Sequence, residues 1–287
     1  MDKRILGKTN LSISIITFGG ILVENYDASK AAELAAFAVD NGVNYVDSAP
    51  SYGNSQYVLG PALQPYRKKL FIASKTGERD KEGSKKELLE SLKALKTDYF
   101  DLYQFHGVSD KDEIEQIFGS NGAMETFHWA LKEGLVRNIG FTSHFNAVAM
   151  EMLTHDEMKS MLFPVNFALR EIKGLSKDPI IKCKEKDVGV VAINSLLDRK
   201  WRKGEEETYH CWYKPIYDDP RLAKAALNYT LTREGVTTAV PPGDERMFRL
   251  AVKIISSQEG SPKEISGDDF VYLMHHANRL GIDDFLF

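Results

Sequence analysis

Short apolar runs rich in Val, Ile, Phe and Tyr alternate with longer amphipathic stretches along this chain. That is the rhythm of parallel strands joined by crossover helices. Eight runs read as strands, beginning at Ser14 (SIITFGG), Asn44 (NYVD), Leu70 (LFIASK), Tyr99 (YFDLYQFH), Val136 (VRNIGFT), Met161 (MLFPVNF), Val188 (VGVVAIN) and Val236 (VTTAVP). The stretches after them predict helices from Ala28 to Asp40, Ser55 to Leu63, Ser84 to Leu95, Ala123 to Glu133, Ala147 to Leu153, Pro179 to Lys186, Arg221 to Thr232 and Glu245 to Ser256. Eight such units in succession argue for a closed (β/α)8 TIM barrel over an open sheet, as one domain spanning residues 1–287.

Local signals refine the picture. Gly42 and Gly134 follow their helices as C-terminal caps do, and Ser84 with Glu87 has the spacing of a capping box. Arg4 to Ile13 reads as an N-terminal β-hairpin turning at Gly7 to Asn10 and placed to plug the barrel floor. The residues after Ser257 read as one extra C-terminal helix and a tail. The stretch from Leu196 to Pro220 holds two tryptophans and two prolines with little periodicity, and long loops within barrels commonly carry function.

Composition narrows the class of protein. A 43% hydrophobic and 27% charged chain has the balance of a globular protein with a sizeable core. With 37 Lys and Arg against 41 Asp and Glu, and no basic tract, nucleic acid is a poor partner. Cys183 and Cys211 are too few for a disulfide framework or a thiolate metal site. The N-terminal MDKRILGKTN lacks the apolar core of a signal peptide, and no apolar run approaches the ~20 residues of a membrane span, so a cytoplasmic location is expected. GxGxxG after a strand, GxxxxGK[ST], HxH and HExxH are all absent. Rossmann, P-loop and metal-centred readings therefore lack support, and no metal is expected.

In a (β/α)8 barrel the active-site face is built from the C-terminal strand ends and the loops after them. The second strand delivers Asp47 and, in the following loop, Tyr52; the third ends at Lys75 and the fourth at His106. Each has a structural explanation when taken singly: Asp47 bonding a turn, Tyr52 packing under a loop, Lys75 solvated, His106 satisfied by backbone. Three consecutive strands bringing all four to one rim favour a shared chemical role.

These residues lie in NYVDSAPSYG, IASKTG and DLYQFHG. Together with RILGKTNLSISIITFGG, LVRNIGFTSHF and AVPPG, they resemble the aldo/keto reductases, in family order, up to about Met247. Ser48 stands where the family motif usually has Thr. The resemblance implies reversible, metal-free reduction of a small aldehyde or ketone by a nicotinamide cofactor, with Tyr52 as proton donor. Lys75 would make the phenolic proton easier to release, Asp47 would hold Lys75, and His106 would orient the substrate oxygen.

For the cofactor, the resemblance implies contacts from Thr142, Ser143 and Asn166 to the carboxamide, and from Gly20, Asn194 and Leu196 along the mouth. Pro242, Gly243, Asp244 and Arg249 would attend the adenosine end, with Arg246 close by in sequence. Pro164 stands where the family has a carboxamide-binding Gln, and Ile193 where many members stack an aromatic ring. NADPH is preferred on the resemblance alone; Asp244 and Glu245 set carboxylates where they would repel a 2′-phosphate, so NAD stays open. Phe18, Ile21, Trp201, Trp212 and Tyr213 are expected to line the substrate pocket. Two rivals remain at this point: a Schiff-base aldolase-like barrel using Lys75, and a nicotinamide-binding sensor or regulatory subunit with little turnover. The substrate, reaction direction and oligomeric state are not legible.

Overall fold

The eight apolar runs form eight parallel strands in the computed structural model of the chain, which describes residues 1–258, 260–262, 264–281 and 284. They are β1 (Phe18–Gly19), β2 (Tyr45–Asp47), β3 (Phe71–Thr76), β4 (Leu102–Val108), β5 (Ile139–Ser143), β6 (Met158–Pro164), β7 (Gly189–Ile193) and β8 (Val236–Ala239). Each pairs with its neighbours in chain order. The ends of the sheet meet at a parallel bridge between Ile16 and Ala239, where Thr17 N donates to Ala239 O and Ala239 N to Ile15 O, both at 3.0 Å. A buried hydroxyl pair, Thr17 and Thr238 at 2.8 Å, lies beside that join. The result is the expected (β/α)8 barrel.

Strand alternation divides the core in two. Tyr45, Ala73, Leu102, Leu162 and Val191 belong to an inner cluster with Leu6, Leu11 and Ile13. Their neighbours Val46, Ile72, Tyr103, Phe105, Phe141, Phe163 and Val190 pack in the larger cluster shared with the helices. The Val, Leu, Ile and Phe side chains among them each contribute about 1.5–3 kcal/mol on burial. Leu6, Leu11 and Ile13 come from the hairpin Lys3–Ile5 and Ser12–Ser14, joined by a 3-10 turn at Gly7–Thr9. The hairpin seals the floor, with Lys8 N donating to Asp187 O at 2.8 Å. Gly7 permits that approach: its φ is +46°, and a Cβ there would lie 2.4 Å from Gly189 N.

The predicted helices are present as α1 (Ala28–Asp40), α2 (Ser55–Leu63), α3 (Lys81–Ala94), α5 (Ala123–Lys132), α6 (Asn146–Met152), α8 (Lys177–Glu185), α9 (Pro220–Leu231) and α10 (Glu245–Ser256). The extra C-terminal helix is α11 (Gly267–Arg279), and most of the expected tail lies outside the described residues. Two short helices, α4 (Lys111–Phe118) and α7 (Phe167–Lys173), come in addition.

Two local expectations are corrected. The Ser84–Glu87 box does not cap α3. Asp80 does, accepting from Gly83 N at 2.9 Å, while Glu87 accepts from Thr76 Oγ1 and Gly77 N and pins the loop after β3. The sixth strand also begins three residues before Met161 and ends at Pro164, because Asn166 caps α7 and takes Phe167 into a helix. Among the described residues no helix is long and apolar enough to cross a membrane.

Candidate active site

Above the apolar layers of the barrel interior the same alternation continues in polar residues. Asp47 stands above Tyr45, Lys75 above Ala73, and Gln104 and His106 above Leu102 on their respective strands. This change from apolar to polar occurs at the C-terminal ends of β2, β3 and β4, and it gathers the four expected catalytic residues.

Lys75 is fully buried and Asp47 nearly so. Lys75 Nζ donates to Asp47 Oδ2 at 2.6 Å, to Ser48 O at 3.1 Å and to Tyr52 OH at 3.1 Å. Because Ser48 is used through its carbonyl, this contact is indifferent to Ser in place of Thr. Asp47 Oδ1 accepts from Gln104 Nε2 at 3.1 Å. The Tyr52 and His106 rings meet edge to face, 5.8 Å between centroids. His106 Nδ1 lies 3.4 Å from Ser51 Oγ, and Arg79 Nη2 holds the His106 carbonyl at 2.7 Å.

The protonation states follow from these surroundings. Burial works hardest against the Lys75 ammonium, but the Asp47 charge, Tyr52 and their hydrogen bonds outweigh it and raise its pKa. Burial, joined by the Asp47 charge, raises the Tyr52 pKa above its ordinary value while Lys75 pulls it down. The net direction is opposite to the one read from the sequence, because burial of the hydroxyl, with the Asp47 charge added to it, outweighs the pull of Lys75. Tyr52 is a protonated hydroxyl at neutral pH. Burial and the charges of Lys75 and Arg79 depress His106 to about 3, so its imidazole is neutral.

A cavity of about 800 Å³ opens over this floor and reaches the N-terminus of α10. Of the expected residues, Asp47, Tyr52, Lys75, His106, Thr142 and Asn194 line it, as do Ile21, Trp212, Tyr213, Pro242, Gly243 and Asp244. Others do not. Phe18 faces the helices and packs edge-on against Phe248 at 5.3 Å. Asn166 spends its amide on Asn194 O and Leu197 O and its oxygen on the first N–H groups of α7. Ser143 Oγ donates to Val108 O at 2.8 Å, Gly20 O accepts from Ser55 Oγ at 2.6 Å, and Leu196 is in the core. Trp201 supports the wall from behind, donating to Cys211 O and stacking on Tyr209. Arg249 is engaged with Glu245 and Glu33.

Sequence reasoning missed Gln104, Glu24, His144, and the Glu207 to Cys211 part of the loop after β7, all at the site. Gln104 was findable, two residues before His106 and therefore on the same strand face. The loop crosses the cavity mouth, held where His210 N donates to Asp244 Oδ2 at 3.0 Å and where His210 Nδ1 lies 2.9 Å from Gly243 O. Its span is framed by a small ribbon pairing Leu197–Arg199 with Lys214–Pro215.

A (β/α)8 barrel with a buried Asp and Lys hydrogen-bonded in series to a half-buried Tyr, beside a neutral His at its C-terminal mouth, defines the class of protein. The sequence profile of the aldo/keto reductase family matches residues 15–214, and the chain belongs to that family. It is 30% identical to an uncharacterized oxidoreductase, YqkF, of Bacillus subtilis over 97% of both chains. It is 24% identical to L-galactose dehydrogenase of Arabidopsis thaliana over 84% of this chain and 83% of that one. Its fold matches the aldo-keto reductase AKR11C1 from Bacillus halodurans in its holo form, with a TM-score of 0.73 at 23% identity, over 100% of this chain and 98% of that one. These relationships support an oxidoreductase.

Proposed function

We propose that the chain reduces an aldehyde or ketone carbonyl of a small molecule to the alcohol, reversibly, with a nicotinamide dinucleotide as hydride donor and Tyr52 as general acid. The observation that carries this reading is the single ammonium, Lys75 Nζ, bonded at once to Asp47 and to the Tyr52 hydroxyl on the floor of the cavity. The cavity suits the cofactor: its volume lies within the ~300–1,000 Å³ of small-molecule and cofactor sites, and Ile21, Leu162, Ile193 and Val240 give it apolar walls.

The dinucleotide, when bound, supplies a hydride to the carbonyl carbon. Tyr52 gives its proton to the oxygen as negative charge develops there. The phenolate left behind faces Lys75, whose charge stabilises it, and Asp47 keeps that lysine protonated and aimed. His106, neutral, offers a ring N–H to the same oxygen and adds no competing acid. In the alcohol-to-carbonyl direction the Tyr52 phenolate takes the proton from the alcohol oxygen. Lys75 is held as an ammonium by Asp47, which removes support from the Schiff-base reading, since that chemistry needs a free amine. A cytoplasmic setting suits the free Cys183 and Cys211.

Tyr52→Phe removes only the hydroxyl. Turnover against a panel of aldehydes and ketones is expected to fall about a hundredfold or more, with dinucleotide affinity changed less than about threefold. A variant that turns over at the wild-type rate sinks the assignment.

A further inference from the structure

The far end of the cavity, at the start of α10, carries six charged side chains that neutralise one another. Asp244 is nearly buried and closes on Arg246 in bidentate fashion, accepting from Nε at 2.9 Å and from Nη2 at 2.8 Å. The same carboxylate caps the helix, taking Arg246 N at 2.9 Å and, from the crossing loop, His210 N at 3.0 Å. Arg249 donates from Nε to Glu245 at 2.8 Å and from Nη2 to Glu33 at 2.7 Å. Lys30 donates to Glu33 at 2.9 Å and to Glu245 at 3.0 Å. Three cations thus face three carboxylates, and each cation is engaged.

A helix N-terminus with three cations around it is a ready anion site only while its N–H groups and cations are open. Here the Asp244 side chain occupies the anion's place. Arg246 N goes to that carboxylate, and Met247 N and Phe248 N go to the Asp244 carbonyl at 3.0 Å. A phosphomonoester carries a charge of about −1.5 to −2 at neutral pH. To be held there it would have to take Arg246 from Asp244 and then sit against the displaced carboxylate. A ribose hydroxyl is uncharged and brings no such repulsion, and an acidic residue at the ribose is what favours NAD in other dinucleotide sites.

We infer that this cavity selects the dinucleotide without a 2′-phosphate, NADH over NADPH, with Asp244 as the residue that enforces the choice. This rests on the reductase reading above and departs from the preference for NADPH drawn from the resemblance. It also assigns Arg246 a role: it holds the carboxylate in place as its counter-ion and, through Nη2 to Thr208 O, ties the crossing loop to the same point.

The test is equilibrium binding of NADH and of NADPH to the full chain, read by quenching of tryptophan fluorescence. NADH is expected to bind about tenfold tighter or more, which corresponds to about 1.4 kcal/mol. Asp244→Ser keeps a capping oxygen but removes the charge and frees Arg246. It is expected to improve NADPH binding by about tenfold while moving NADH less than about threefold. Glu245→Gln, which leaves the cap untouched, is expected to move the ratio the same way by about threefold. Equal or tighter binding of NADPH to the wild-type chain overturns the inference and leaves the reductase reading standing. A ratio unmoved by both substitutions also overturns it. Failure of both dinucleotides to bind removes the reductase reading and this inference with it.

Discussion

Replacing Asp47 by Asn leaves the Lys75 ammonium, fully buried, facing a neutral amide. Breaking one partner out of a buried ion pair typically costs ~3–5 kcal/mol, because the remaining charge is uncompensated. The lysine has one escape, to lose its proton, and that limits the penalty. From a reference pKa of ~10.4, giving up the proton at pH 7 costs ~5 kcal/mol at roughly 1.4 kcal/mol per pH unit; at pH 9 it costs only ~2 kcal/mol. In the variant the folded-state pKa of Lys75 falls below its unfolded value, so the unfolded chain binds more protons and stability rises with pH. Asp47→Asn is therefore expected to lose ~3–5 kcal/mol at pH 7 and ~2 kcal/mol at pH 9 relative to wild type, measured by urea unfolding at the two pH values. Adding Lys75→Met removes the stranded charge and is expected to recover about 2 kcal/mol or more at pH 7. A loss below about 1 kcal/mol at pH 7, or the same loss at both pH values, would refute the claim that the pair is held as two charges.

Two further outcomes follow from the geometry. With His106 depressed to about 3, its imidazole stays neutral through the physiological range. Side-chain NMR should show no His106 titration between about pH 5 and 8, and an inflection near ~6.5 would contradict the site as described. The same shift makes the unfolded chain take up a proton that the native chain refuses as pH falls from ~6.5 toward about 3, so this histidine's contribution to stability is full above that window and lost through it. Gly7→Ala combines a positive φ with a Cβ 2.4 Å from the Gly189 nitrogen. It is expected to cost about 2 kcal/mol or more by thermal or urea unfolding, and a variant as stable as wild type would show that the hairpin does not seal the barrel floor as described.

Much of the candidate site's floor was legible because strand parity and the end of a strand can both be read from the chain. The apolar runs stop at YVD, IASK and YQFH, and strand parity at each stop puts Asp47, Lys75 and His106 on one rim. The cofactor-side assignments were less legible because they depended on the conformation of short segments. Asn166 was expected at the cavity, but the seven-residue α7 begins directly after it and consumes its side chain as a cap. Phe18 opens a two-residue strand that ends at Gly19 and is followed by Gly20, too short to reveal which face it takes. The helix α4 hides in a largely charged stretch where only Ile114 and Ile117 are buried. The direction of the Tyr52 shift was missed because two opposing influences, burial and Lys75, differ only through three-dimensional packing.

The join between β1 and β8 acquires a mechanical meaning from its place in the molecule. Where neighbouring strands elsewhere share two or more paired residues, this seam rests on one bridge and a pair of hydroxyls. The cavity straddles it, with Gly19 and Ile21 on one bank and Val240 to Asp244 on the other. A molecule lying along the mouth would therefore touch both banks of the seam at once.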